Sequence, residues 1–95
     1  MRRAAKTDAN HAEVVAAFRK LGWSVLDLSR VGQGCPDILC GRPGYSVLVE
    51  IKDGAKVPSQ RKLTEDQIDF HAEWRGPLVV VKDVEDVRLL TVRYG

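Results

Sequence analysis

The stretch Cys35-Pro36-Asp37-Ile38-Leu39-Cys40-Gly41-Arg42-Pro43-Gly44-Tyr45-Ser46-Val47-Leu48-Val49-Glu50-Ile51-Lys52 decides the fold. Two apolar runs flank a Pro-Gly turn, which is the signal of a β-hairpin. With the hairpin centred between Pro43 and Gly44, Asp37 falls opposite Glu50. Side chains alternate across a strand. Asp37, Leu39, Leu48, Glu50 and Lys52 therefore share one face, while Ile38, Cys40, Val47, Val49 and Ile51 take the other. Two carboxylates and an ammonium converge at one end of an otherwise apolar hairpin. Carboxylates that close repel each other, and one protonates unless a cation lies between them. A hard divalent ion with oxygen ligands suits the position, and Lys52 beside it can hold a water or a phosphate oxygen. Taken singly, each of these residues reads as an ordinary strand-end charge, with Lys52 pairing Glu50 or Asp53. The joint pattern does not. Asp and Glu are poor strand formers, a surface ion pair returns only about 0–1 kcal/mol, and local rules broken together mark a site.

Outward from the hairpin, residues 1–7 read as a basic, loosely ordered arm. A helix starts near Asp8 to Asn10, either of which can cap it, and Gly22 ends it after Leu21. Ala12, Val15, Ala16, Phe18 and Leu21 recur at helical spacing as its buried stripe. Trp23 to Leu28 reads as a strand, and Ser29 to Pro36 as a loop. Asp53 to Leu63 is a polar, exposed loop. Thr64-Glu65-Asp66-Gln67 is a capping-box sequence opening a second helix that ends before Gly76-Pro77. Leu78 to Val81 is a continuous apolar strand, expected to be covered on both faces. From Asp83 on, two readings stay open: a helical turn over Val84 to Val87, or a strand over Leu89 to Tyr94. The strand–helix–strand step implies an α/β domain, a mixed sheet with helices against it.

Ninety-five residues make one small domain with a modest core, which dimerisation would help to stabilise. The net charge of +2 neither demands nor excludes nucleic acid. Its distribution is more telling: Arg2, Arg3 and Lys6 cluster at the start, and Lys56, Arg61 and Lys62 in one loop, as suits phosphate. Each of these alone reads as a solvated surface cation. No apolar run spans a bilayer and no apolar signal region opens the chain, so a cytosolic protein is expected. Cys35 and Cys40, without paired spacing, make a weak zinc site and read as reduced, partly buried residues. Glu13 has Ala9, Ala16 and Ala17 a turn away, as on a face close against the sheet; alternatively it completes a capping box with Asn10. Gln67 either caps the second helix with Thr64 or points to the hairpin, since Gln67, Phe70, His71 and Trp74 line one side of that helix. His71 reads as a satisfied or surface histidine outside the site. Trp23, Trp74, Phe18, Phe70 and Tyr45 read as core or interface.

The order Glu13, Gly34-Cys35-Pro36-Asp37, Glu50-Ile51-Lys52, Gln67 resembles the PD-(D/E)XK nucleases, with Pro36-Asp37 as the literal "PD" and Glu50-Ile51-Lys52 as the literal "ExK". Within them the chain is most similar to small standalone VRR-Nuc proteins of phages and bacteria, which resemble Holliday-junction resolvases in layout. The resemblance covers roughly residues 8–82. It implies a single VRR-Nuc-like domain over 1–95 with the restriction-endonuclease-like core α-β-β-β-α-β. It further implies an Mg²⁺- or Mn²⁺-dependent endonuclease acting on DNA, branched DNA such as four-way junctions in particular, as a homodimer in the cytoplasm. Asp37 and Glu50 would ligate the metal with the Ile51 carbonyl. Glu13 would act through water or a second metal position, Lys52 would orient the attacking water and offset phosphate charge, and Gln67 would steady Lys52 or touch the phosphate backbone. The alternatives are an inactive nucleic-acid-binding module of the same fold, a nuclease acting on flaps, nicks or RNA, and a small interaction domain whose hairpin end is only a salt-bridge cluster.

Overall fold

The computed structural model describes residues 7–94. The chain runs α1 (His11–Lys20), β1 (Ser24–Asp27), β2 (Ile38–Arg42), β3 (Tyr45–Ile51), α2 (Glu65–Glu73), β4 (Leu78–Val81) and α3 (Val84–Tyr94), with one 3-10 turn at Pro58–Gln60. The strands form one mixed sheet in the order β1-β2-β3-β4, antiparallel except for the parallel β3–β4 pair. The described residues thus form an α/β fold of four strands and three helices.

The hairpin register is the one that the turn dictates. Ile38 pairs with Val49, Leu39 with Leu48 and Cys40 with Val47. Pro43 presets its own φ, and Gly44 takes φ +76°, the left-handed value that the second turn position needs. The odd-numbered face of β3 and the even-numbered face of β2 are buried under α1 and α3. Ile38, Cys40, Val47, Val49 and Ile51 join Val14, Phe18, Trp23, Val81, Val87 and Leu90 in one core. The opposite face carries Leu39, Leu48 and Glu50 toward α2.

α1 ends as its glycine predicts. Gly22, at φ +96°, donates to the Arg19 carbonyl, and Trp23 N donates to the Phe18 carbonyl. This is the paired bonding of a Schellman cap, closed by the edge-on contact of Phe18 and Trp23. Its buried stripe differs from the expected one. Val14 and Phe18 are buried with Val15, Ala17 and Leu21 partly so, whereas Ala12 and Ala16 face solvent. Larger side chains hold most of the core face, and Ala12 and Ala16 lie outside it.

One further expectation is corrected, and one open reading is decided. β4 is an edge strand, so only Val81 is fully buried and Val80 is 47% exposed. Residues 84–94 form one helix although Leu89 to Tyr94 are rich in β-formers. Val87, Leu90 and Thr91 fall at helical spacing onto the core. Asp83 Oδ1 accepts from Asp86 N–H at the helix start, 2.9 Å away. Among the described residues no helix is long and apolar enough to cross a membrane. Cys35 and Cys40 are free thiols, the latter buried and pushed up to about 12 by desolvation.

Candidate functional site

Three structural ends meet at the far end of the hairpin from its turn: the start of β2, the end of β3 and the end of β4. Asn10 ties the start of α1 to them. Its Nδ2 donates to the carbonyls of Lys52 (3.1 Å) and Lys82 (3.0 Å). Asn10 makes no side-chain cap bond, so the capping box with Glu13 does not form.

Here the structure brings Asp37, Glu50, Lys52 and Gln67 together. Asp37 Oδ2 accepts from the Ile51 backbone N–H at 2.7 Å, which locks the carboxylate across the strand pair. Glu50 is 2% exposed. Its Oε2 accepts from Gln67 Nε2 at 3.0 Å, and Lys52 Nζ stands 3.9 Å away. Its Oε1 is buried without a hydrogen-bond partner among the described residues. Burial, then the neighbouring Asp37 carboxylate, push the Glu50 carboxyl up to about 8; Lys52 pulls it down, and Asp8 adds a smaller upward push.

Lys52 is nearly as enclosed, with a side chain 12% exposed. Its Nζ donates to Gln67 Oε1 at 2.8 Å. The same oxygen accepts from Thr64 N–H at 2.9 Å, while Thr64 Oγ1 accepts from Gln67 N–H, so the capping box of α2 forms in full. The two readings of Gln67 are therefore one arrangement: the residue caps α2 and grips both Lys52 and Glu50. Gly34 lets α2 come this close. A Cβ there would lie 2.2 Å from the Asp66 carbonyl oxygen, and its φ of +79° suits glycine alone.

Glu13 is not part of this cluster. It is exposed on α1, one residue before the buried Val14, and the carboxylates that act on Glu50 are Asp37 and Asp8. Asn10 is pinned to the strand ends, and of the acids in this segment Asp8, not Glu13, is among the charges that act on Glu50. Asp8, read from the sequence only as a possible helix cap, is thus the acid of this segment that acts on Glu50; no sequence signal marked it, because the pinning of Asn10 exists only in the fold. His71, expected to be a satisfied or surface histidine, is neither fully exposed nor satisfied. It is half-buried on α2 with Nε2 unpartnered, and burial together with the Lys52 charge holds its imidazole below the usual range.

Of the basic candidates, Arg2, Arg3 and Lys6 lie outside the described residues. Lys56, Arg61 and Lys62 occupy the loop that leaves the site at Lys52 and returns to it at Thr64. Lys56 and Lys62 are exposed, and Arg61 Nε donates to the Lys56 carbonyl at 2.9 Å. Trp23 is core, whereas Trp74 is 47% exposed and stacks on Phe70.

The donor set fits a divalent cation. Asp37 and Glu50 supply oxygens, Oε1 has no other partner, and mutual repulsion is what a cation would relieve. Among the described residues no three acidic, histidine or cysteine side chains converge as a metal cage. Mg²⁺ does not need one, since it binds through one or two carboxylates and keeps waters or substrate oxygens. The chain matches no family model, no curated protein and no solved structure.

Proposed function

We propose that the protein is a divalent-metal-dependent nuclease of the PD-(D/E)XK type, hydrolysing phosphodiesters in branched DNA. One observation carries the reading: a buried glutamate with an unpartnered oxygen is held against a second carboxylate, with a lysine gripped alongside. A structural salt-bridge cluster would have satisfied Glu50; this one leaves it strained. The element order, helix, three strands, helix, strand, supports the restriction-endonuclease-like core that the resemblance implies.

In this reading Asp37 and Glu50 hold Mg²⁺ or Mn²⁺, and the Ile51 carbonyl completes the protein ligands. Held there, such an ion would supply a water of lowered pKa and would offset phosphoryl charge. Lys52 places a positive charge beside the scissile phosphate, where negative charge develops. Gln67 fixes the lysine's direction through the cap of α2, so the helix acts as a clamp on the ammonium. Lys56, Arg61 and Lys62 lie on the loop flanking this centre and take neighbouring phosphates. Asp8, rather than Glu13, is the acid available to a second metal position or a bridging water. A homodimer would match the two-fold symmetry of a four-way junction.

The test is cleavage of an end-labelled four-way junction beside a linear duplex, a flap and a single-stranded RNA, in Mg²⁺, Mn²⁺ or EDTA. Metal-dependent cutting that favours the junction supports the full reading. Metal-dependent cutting of another substrate keeps the chemistry and replaces the substrate. Binding of DNA without cutting of any substrate would leave an inactive binding module.

A further inference from the structure

The hairpin turn lies at the opposite end of the sheet from the carboxylates and carries a second cluster of a different kind. Tyr45 and Tyr94 stack with centroids 4.3 Å apart at 12°. Tyr45 also meets Trp23 edge-on, and the Arg42 guanidinium lies over the Trp23 ring at 4.8 Å. Arg93 Cζ stands 5.6 Å from the Tyr94 ring centre. Tyr94 remains 40% exposed.

The topology explains why these groups assemble. α1 starts at the strand ends that Asn10 holds and runs toward the turn; α3 starts after β4 and does the same. Trp23 Nε1 donates to Thr91 Oγ1 at 2.8 Å and joins the two helix ends. Both C-terminal turns arrive here with their basic residues, Arg19 and Lys20 from α1 and Arg93 from α3. The segments 19–24, 40–46 and 88–94 contain five Arg or Lys and no Asp or Glu. Only Arg88 of these forms an ion pair among the described residues, with Glu85. In a chain of net charge +2, that is a strongly one-signed end.

Cations at helix C-termini offset the helix dipole, which accounts for Arg19, Lys20 and Arg93 taken alone. It does not account for Arg42, which belongs to the hairpin, nor for the exposed tyrosine among them. Exposed aromatics within a basic surface are how proteins hold unpaired bases: the ring stacks on the base, and the cations take the phosphates. Arg42 and Tyr45 lie on the α1/α3 face of the sheet, whereas Glu50 and Lys52 lie on the α2 face. The five-residue rise of β3 from Tyr45 to Glu50 separates the two places by about 17 Å along the strand. A straight duplex seated on the α2 face leaves the turn's other face uncovered, and a flexible unpaired strand can reach it.

We propose that this end of the molecule binds single-stranded nucleic acid, a base stacking on Tyr94 with Arg42 and Arg93 on the flanking phosphates. The inference rests on the nuclease reading for its choice of ligand and assigns the substrate an unpaired segment.

The experiment measures anisotropy of a fluorescein-labelled oligothymidine and of a blunt duplex with the full chain in EDTA, where no cutting occurs. A 5-iododeoxyuridine oligonucleotide is cross-linked in parallel and mapped by mass spectrometry. Tyr94→Leu is expected to weaken the single strand about ten-fold while changing duplex binding less than two-fold, and Tyr94→Trp to restore it. Arg42→Gln with Arg93→Gln is expected to reduce the salt slope of single-strand binding by about 1.4; these changes leave both tyrosines in place should Tyr94→Leu fail to fold. Cross-links at Tyr94 or Tyr45 support the site. Unchanged single-strand affinity in these variants, or cross-links confined to residues 53–63, overturns it and leaves the nuclease reading intact. Failure of the single strand to bind would overturn the inference, while the nuclease reading stands or falls on the cleavage assay in metal.

Discussion

Replacing Glu50 by Gln should stabilise the metal-free protein, and by an amount that grows with pH. The carboxyl is held at about 8 in the fold against an ordinary value of 4.5. The folded state therefore keeps a proton that the unfolded state gives up. Stability is intact below 4.5, declines as pH rises from there, and has lost its full amount above about 8. With 1.36 kcal/mol per pH unit, the loss between pH 5 and pH 8 is roughly 3 kcal/mol. The amide of Glu50→Gln is neutral throughout. It can still accept from Gln67 Nε2, which donates to Glu50 Oε2 at 3.0 Å in the wild type, and its own N–H can donate to Asp37. The assay is urea unfolding followed by far-UV circular dichroism at pH 5, 6.5 and 8 in EDTA. The two proteins should agree within about 1 kcal/mol at pH 5 and separate by roughly 3 kcal/mol at pH 8, with the variant the more stable; for a domain of this size that is about 12–24 °C in Tm. Millimolar Mg²⁺ at pH 8 should then raise the wild type and leave the variant unmoved, because ligation needs the carboxylate. Parallel pH profiles for the two proteins, or a less stable variant at pH 8, would refute the claim that Glu50 is strained by burial beside Asp37.

Three other perturbations test the supports of the site. Gly34→Ala sets a methyl 2.2 Å from the Asp66 carbonyl oxygen at a φ of +79°; α2 must shift, so cleavage should fall at least ten-fold and stability by roughly 1–3 kcal/mol, read by kinetics and urea titration. Asn10→Ala removes both bonds that hold α1 to the Lys52 and Lys82 carbonyls, and should cost about 1–3 kcal/mol in the same titration. Thr64→Ala breaks the capping box that anchors Gln67. It should cost about 1 kcal/mol and slow turnover while leaving DNA affinity unchanged, as measured by single-turnover rates beside filter binding.

The hairpin was legible because two independent signals coincide there: two short apolar runs and the Pro-Gly turn between them, which permits one register. Asp37 and Glu50 inherit their placement from it. Gln67 was legible through the capping box, although its double role needed the position of α2. Glu13 was misplaced because helical spacing gives faces but not their rotation about the axis, which Asn10 sets through bonds to residues 52 and 82. The coverage of β4 was misjudged because an apolar run reads alike in a central strand and at an edge. The tail stayed open between a helical turn and a strand because residues that favour strands in isolation yield to tertiary packing, here Val87 and Leu90 against the core. The basic, aromatic end of the hairpin draws on three distant segments, and no local window contains it.

The most direct test of the central claim is the single-turnover rate on a labelled four-way junction in Mn²⁺, with junction affinity measured on the same preparations of wild type, Asp37→Asn and Lys52→Met. The account predicts metal-dependent cutting by the wild type, a loss of at least about 10³-fold in Asp37→Asn and of about 10²–10³-fold in Lys52→Met, with affinities within a few-fold of each other. Cutting that persists in Asp37→Asn, or rates in both variants that fall only in step with binding, would contradict it.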